Sequence, residues 1–128
     1  MKLLLDTHTF LWWITDDPQL STKARELISD GYNILYWSAA SSWEVSIKYA
    51  LGRMPLPEVP EQFLPAEIEK NRLESLPIID AHAFQAGQLP HHHRDLFDRM
   101  LVAQAQVESL ALLSNDRQLN HYDVEILW

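Results

Sequence analysis

The chain of 128 residues is 47% hydrophobic and 22% charged, a composition typical of a single globular domain. It has no cysteine, which excludes a disulfide framework, a thiolate zinc site and a cysteine nucleophile, and which suits a cytoplasmic location. Ten Lys and Arg residues against 18 Asp and Glu residues give a net charge of −8, which disfavours binding of nucleic acid through a basic surface.

Five short apolar runs predict β-strands. They cover residues 2–5, 33–37, 76–79, 111–113 and 124–128. Their apolar residues are continuous rather than alternating, as in strands that are covered on both faces. Pro77 falls inside the third run and indicates a strand at the edge of the sheet, because proline cannot donate to a sheet.

Helical patterns lie between these strands. The expected helices begin at Thr7, after Ser21, at Ser41 or Ser42, at Pro60, after Asp80 as a cap, and after Asp95 as a cap. In the third of them we expect an inward apolar stripe made of Trp43, Ile47, Ala50 and Leu51. Strands that alternate with helices predict a parallel sheet between two helical layers, a three-layer α/β domain over residues 1–128.

Two acidic residues follow predicted strands. Asp6 comes directly after the first run, and Asp116 comes three residues after the fourth. In open parallel sheets, ligands bind beyond the carboxyl ends of the strands, near the point where the strand order reverses. If these two strands are neighbours at that point, both carboxylates face one crevice.

Two further acids lie on predicted helices. Asp98 shares a helix face with Leu101, Val102 and Ala105, and Glu44 borders the apolar stripe of its own helix. Carboxylates that point inward usually pair with a cation or coordinate a metal. The sequence therefore nominates four acids for one rim of the sheet.

Each of the four acids also has a simpler explanation. The two that follow strands fit the cap of a helix or a turn. Asp98 fits the third position of a helix that Asp95 caps. Glu44 fits a capping box with Ser41 or an ion pair with Lys48. Only their joint arrangement favours a shared site.

A cluster of four carboxylates has consequences for chemistry. Four like charges repel one another, which raises pKa values and destabilises a metal-free fold. Oxygen ligands without sulfur suit Mg²⁺ or Mn²⁺, and two such ions about 4 Å apart activate water and stabilise the leaving oxygen of a phosphodiester. The predicted reaction is phosphodiester hydrolysis, in which metal rather than the protein surface supplies positive charge.

Four segments of the chain resemble, in order, the motifs of PIN domains: Leu3-Leu4-Leu5-Asp6-Thr7-His8, Trp43-Glu44, Asp95-Leu96-Phe97-Asp98-Arg99 and Leu113-Ser114-Asn115-Asp116. The chain is most similar to the VapC-type toxins of bacterial toxin–antitoxin pairs, over essentially its whole length. The resemblance implies a five-stranded parallel sheet of order 3-2-1-4-5. It also implies a ribonuclease that depends on Mg²⁺ or Mn²⁺ and acts on RNA.

The resemblance implies site residues and partners as well. The acids of the site would be Asp6, Glu44 and Asp98, with Asp116 as a more variable fourth. The implied partner is a small antitoxin whose tail enters the site. We also expect a homodimer, from the resemblance and from Trp12 and Trp13 on the first helix.

Other polar residues lie near the nominated acids. A run of three histidines cannot converge on one ion, so we interpret the run as a loop that orders the next helix or touches substrate: His91, His92 and His93. Asp95 fits a helix cap, which we favour, or an acid that supports the metal-binding residues from close by. Five cations fit either RNA phosphate contacts or salt bridges: Lys48, Arg53, Arg94, Arg99 and Arg117. The hydroxyls of Thr7 and Thr9 fit either a ligand water or a cap.

Several other classes are excluded. Three glycines leave no glycine-rich phosphate loop, and no apolar run reaches the about 18 residues of a membrane span. A receiver domain needs an acidic pair after the first strand, and a haloacid-dehalogenase-like phosphatase needs Asp-x-Asp where this chain has Asp6-Thr7-His8. Two alternatives stay open, a nuclease acting on DNA or structured RNA and a non-catalytic acidic binding module.

Overall fold

A parallel sheet forms the centre of the molecule in a computed structural model, which describes residues 1–128. Its strands are β1 (Lys2–Leu5), β2 (Ile34–Ser38), β3 (Glu74–Leu76), β4 (Ala111–Leu113) and β5 (Ile126–Leu127). They pair in the order β3-β2-β1-β4-β5, and every pairing is parallel. The predicted fold class and strand order are confirmed.

Six α-helices surround the sheet. They are α1 (Thr7–Ile14), α2 (Thr22–Ser29), α3 (Ala39–Ala50), α4 (Pro60–Lys70), α5 (Asp80–Gln88) and α6 (Leu96–Glu108), and a short 3₁₀ helix follows β4 (Arg117–His121). Ser21 and Asp95 cap α2 and α6 through their side chains, as predicted. Asp80 is the first residue of α5 rather than its cap, so that prediction was wrong. None of the helices has the length and hydropathy needed to span a bilayer.

The side chains of β1 divide the core into two layers. Leu3 and Leu5 pack into a cluster with residues of α1, α2 and α4, while Leu4 packs into a second cluster with residues of α6. All three leucines are 0% exposed, and burying such a side chain contributes about 1.5–3 kcal/mol. The residue that follows β1, Asp6, is therefore anchored by a strand that is buried on both faces.

The third strand differs from its prediction. It spans Glu74–Leu76, and Pro77 lies just beyond its end instead of inside it. The apolar run predicted a strand as far as residue 79. Ile78 and Ile79 instead are 38% and 49% exposed and lead into α5. The strand does lie at the edge of the sheet, beside β2.

The start and the buried face of α3 also differ from prediction. The cap is Ser38, whose hydroxyl accepts a hydrogen bond from the N–H of Ala40, so the helix begins before Ser41 and Ser42. Its predicted stripe is wrong, because Trp43 is 62% exposed and Ala50, Ile47 and Leu51 are exposed too. The buried positions are Ala40, Ser41, Glu44 and Val45. This helix turns a small and polar face inward.

The two adjacent tryptophans of α1 pack within the chain. Trp13 donates from Nε1 to Oδ1 of Asn71 at 3.0 Å, and Trp12 makes an edge contact with Trp128 at a centroid distance of 6.0 Å. Both side chains are half-buried by these contacts. They give no support to the homodimer, which stays a prediction.

Candidate active site

The ends of β1 and β4 bring Asp6 and Asp116 to the same rim of the sheet. The two strands are parallel neighbours, and the N–H of Asp6 donates to the carbonyl of Leu113 at 3.1 Å. The chain continues from β1 to β2 on one side, whereas β4 lies on the other. The strand order therefore reverses here, which is where open sheets bind ligands.

Asp6 is both a helix cap and a buried acid. Its Oδ1 accepts from the N–H of His8 at 3.2 Å, and its Oδ2 accepts from the hydroxyl of Ser114 at 2.6 Å. Burial raises the pKa of Asp6 above its usual value, these hydrogen bonds oppose the rise, and the charge of Glu44 adds to it. The capping interpretation was right without excluding a role in the site.

Glu44 is held at both of its oxygens. The hydroxyl of Thr7 donates to Oε1 at 2.7 Å, and the ammonium of Lys48 pairs with Oε2 at 2.5 Å. Glu44 is only 4% exposed, so this partnering offsets part of the cost of burying its charge. The ion pair with Lys48 is present, while the capping box with Ser41 is not, because Ser41 lies inside α3 and contacts Thr7.

Asp98 is a partly buried acid that lies near the other acids of the cluster. It is the third residue of α6, and its N–H donates to Oδ1 of Asp95 at 3.2 Å. Burial raises the pKa of Asp98, and the charges of Asp6, Asp95, Glu44 and Asp116 each add to the rise. Together they bring this pKa to about 8. The other three nominated acids thus all act on Asp98.

Asp116 is linked to Asp98 through a histidine. Its Oδ1 accepts from the N–H of Gln118 at 2.9 Å, which caps the 3₁₀ helix. Its Oδ2 lies 2.9 Å from Nε2 of His93, and the same nitrogen lies 3.0 Å from Oδ2 of Asp98. Sequence reasoning missed this bridge, since nothing in a run of three histidines marks which ring reaches the acids.

Of the five cations near the acids, two are engaged within the protein and three are exposed. Arg99 is 7% exposed and donates to the carbonyls of Ala86, Leu89 and Pro90, so it holds the loop before α6 and is not available to RNA. Lys48 is paired with Glu44. The remaining three are exposed and form no ion pair: Arg53, Arg94 and Arg117.

An apolar groove of about 1090 Å³ opens beside the acids. Trp43 of α3 and Phe97 of α6 meet edge to face across it, with ring centroids 5.2 Å apart. His93 and Arg94 also line the groove. The groove therefore reaches His93, which contacts Asp98 and Asp116.

The PIN domain family matches residues 3–125, nearly the entire chain. The chain belongs to the PIN domain family. One curated relative, ribonuclease VapC16 of Mycobacterium tuberculosis, is 33% identical to this chain over 69 residues. That match covers 51% of this PIN domain and 49% of the relative, so the chain spans about half the length of the relative it matches.

Solved structures share the fold of this PIN domain. VapBC2 from Rickettsia felis, bound to a DNA fragment from its promoter, has a TM-score of 0.72 at 17% identity and covers 99% of this chain and 98% of its own. A toxin–antitoxin complex from Klebsiella pneumoniae has a TM-score of 0.68 at 14% identity, covering 98% and 96%. FitAcB from Neisseria gonorrhoeae has a TM-score of 0.64 at 20% identity, covering 98% and 96%.

The donor set of this PIN domain fits a hard divalent cation. Carboxylate oxygens of Asp98 and Asp116 lie within 4.8 Å of each other. Lys48 is the only Lys or Arg side chain paired with any of the four acids. Burial and the neighbouring acids raise the pKa of Asp98, so the protein alone disfavours its charged form. Mg²⁺ and Mn²⁺ take such oxygen ligands.

Proposed function

We propose that this PIN domain is a Mg²⁺- or Mn²⁺-dependent endoribonuclease that acts as the toxin of a toxin–antitoxin pair in the cytoplasm. The observation that carries the proposal is the convergence of four acids on the reversal point of the sheet, where burial and the charges of the other three raise the pKa of Asp98. The ribonuclease among its relatives supports the reaction, and the toxin–antitoxin complexes among its structural relatives support the setting.

The proposed ligands of the metal are Asp6, Glu44, Asp98 and Asp116. When bound, the metal supplies positive charge over the scissile phosphate and lowers the pKa of a water molecule. Ser114 and Thr7 fix the carboxylates of Asp6 and Glu44 by hydrogen bonds, which preorganises them for that role. Lys48 offsets the charge of Glu44 and thereby limits repulsion in the cluster.

The proposed RNA contacts use local rather than overall positive charge. Arg53, Arg94 and Arg117 are exposed, unpaired and close in sequence to the acids or their helices. Such side chains position a substrate by its phosphates without reading its sequence. This arrangement is compatible with RNA binding by a chain whose net charge is −8.

The proposed antitoxin is a small protein with a basic tail. An acidic crevice attracts a Lys or Arg side chain, and a cation placed among the four carboxylates occupies the space that a metal needs. The surplus of acidic residues over the whole chain steers a basic partner toward the protein.

The test is expression of the chain alone in a bacterium, with an Asp6→Asn variant as control. Asn keeps the helix cap that Asp6 provides, so the variant should fold while losing a metal ligand. We expect new RNA ends at a small number of sites with the wild type and none with the variant. Cleavage of labelled DNA with RNA left intact would indicate the other nuclease class, and Mn²⁺ binding without cleavage of either would indicate a binding module.

A further inference from the structure

We propose that His93 is a positioning residue whose N–H fills the gap between Asp98 and Asp116, and that its ring must leave this gap when a divalent ion binds. His93 would thereby set the affinity of the site for metal. The proposal rests on the metal site of the proposed function and deepens it.

One ring nitrogen joins acids that come from different elements. Nε2 of His93 lies 3.0 Å from Oδ2 of Asp98 on α6 and 2.9 Å from Oδ2 of Asp116 after β4. Each separation is a hydrogen-bond distance. In the absence of metal, the imidazole therefore links the carboxyl groups of Asp98 and Asp116.

The hydrogen bond on the other side of the ring decides what Nε2 can do. The backbone N–H of Asp95 donates to Nδ1 of His93 at 3.1 Å, so Nδ1 uses its lone pair as an acceptor. In a neutral ring with a bare Nδ1, the hydrogen is on Nε2. Nε2 is then a donor to the carboxylates, and it has no lone pair to offer a metal ion.

The hydrogen of His93 and a metal ion compete for the same two oxygens. An N–H hydrogen lies about 1.9–2.0 Å from its acceptor, close to the about 2.0–2.1 Å of a Mg²⁺–oxygen bond. An ion that binds Oδ2 of both Asp98 and Asp116 therefore takes the place of the hydrogen between them. The ring has to rotate away.

The backbone around His93 is anchored, which makes this rotation a side-chain movement. Arg99 donates to the carbonyls of Leu89 and Pro90 just before the histidines. His92 packs against Tyr122 with ring centroids 5.3 Å apart. These contacts hold the loop independently of the acids.

The experiment compares wild type with His93→Ala, His93→Gln and the matched control His92→Ala. Mn²⁺ affinity is measured from the electron paramagnetic resonance signal of free Mn²⁺, and melting temperatures are measured without metal. For His93→Ala we expect the Kd for Mn²⁺ to fall by about tenfold, since each lost hydrogen bond is worth about 0.5–1.5 kcal/mol. Its metal-free melting temperature should fall by about 3 °C.

The other two variants should separate this role from simple packing. The amide N–H of Gln reaches a position similar to Nε2, so His93→Gln should keep the Kd within about twofold of wild type. His92→Ala loses a ring contact away from the acids, so its melting temperature should fall while its Kd for Mn²⁺ does not change.

Three results would overturn the proposal. Weaker Mn²⁺ binding by both His93 variants would indicate that the ring is a metal ligand. An unchanged Kd for His93→Ala would indicate that the ring has only a structural role. An Asp98→Asn variant tests the metal site separately from the role of His93. If Asp98→Asn loses Mn²⁺ binding while the Kd of His93→Ala is unchanged, only the proposal about His93 is removed. A wild type that binds no Mn²⁺ removes the metal site and this proposal together.

Discussion

The metal-free fold disfavours the charged form of Asp98. Its pKa of about 8 in the folded protein exceeds its ordinary value of 3.8, so between these values the folded state holds a proton that the unfolded state has released. The contribution of Asp98 to stability is therefore most favourable below about pH 4 and is lost as the pH rises toward 8. Chemical denaturation of metal-free protein across this range should show the decline.

The Asp98→Asn variant isolates this residue from other groups that titrate. It should be as stable as wild type or more stable near neutral pH, by about 1 kcal/mol, and its advantage should grow as the pH rises. Added Mn²⁺ should raise the melting temperature of wild type and leave the variant nearly unchanged. Parallel stability curves for the two proteins would contradict a strongly raised pKa at Asp98.

Two buried threonines of α1 offer a matched pair of substitutions. Thr7 donates to the carboxylate of Glu44, whereas Thr9 donates to the carbonyl of Leu113 at 2.9 Å, which also accepts from Asp6. Thr7→Val leaves a charged acceptor without its donor and should cost about 1–3 kcal/mol. We expect Thr7→Val alone to weaken Mn²⁺ binding and RNA cleavage, and equal losses in Thr9→Val would refute a specific role for Thr7.

At the scale of elements, the start of α6 depends on one side chain. Asp95 accepts from the N–H groups of Phe97 and Asp98, at 2.8 and 3.2 Å. Asp95→Ala should destabilise the protein by about 1 kcal/mol, and Asp95→Asn should retain most of the cap. Urea unfolding of both variants measures this. A similar loss in both would mean that charge, and not the cap, is what α6 requires at this position.

The elements also mark where sequence patterns succeed and fail. Caps such as Ser21 and Asp95 are local, because the donor and acceptor lie within three residues of each other, and both were predicted correctly. The face of α3 is not local. Trp43 looks like a core residue by composition, yet it is 62% exposed, since the packing of α3 against its neighbours turns Glu44 inward.

At the scale of the whole molecule, the net charge of −8 and the acidic rim act together on a partner. We expect a basic, partly disordered peptide to insert a Lys or Arg among the acids. Calorimetry should show binding that weakens as salt increases, and Mn²⁺ and the peptide should antagonise each other. A complex that is insensitive to salt and contacts only the opposite rim of the sheet would contradict this.

The sequence by itself determined the fold class and the candidate acids. Continuous apolar runs that alternate with capped helices allow few arrangements, and Asp6 directly follows one of those runs and Asp116 comes three residues after another. The order of the strands was implied only by resemblance, because pairing between β1 and β4 joins segments more than a hundred residues apart.

Only the tertiary structure decided how the acids are held. The bridge from His93 to Asp98 and Asp116, and the hydrogen bond from Thr7 to Glu44, connect residues that share no periodicity or spacing in the chain. Their distances follow from how α3, α6 and the turn after β4 meet at one rim. The helical pattern predicted that Asp98 points inward, but the extent of the burial that raises its pKa is a property of the packed core.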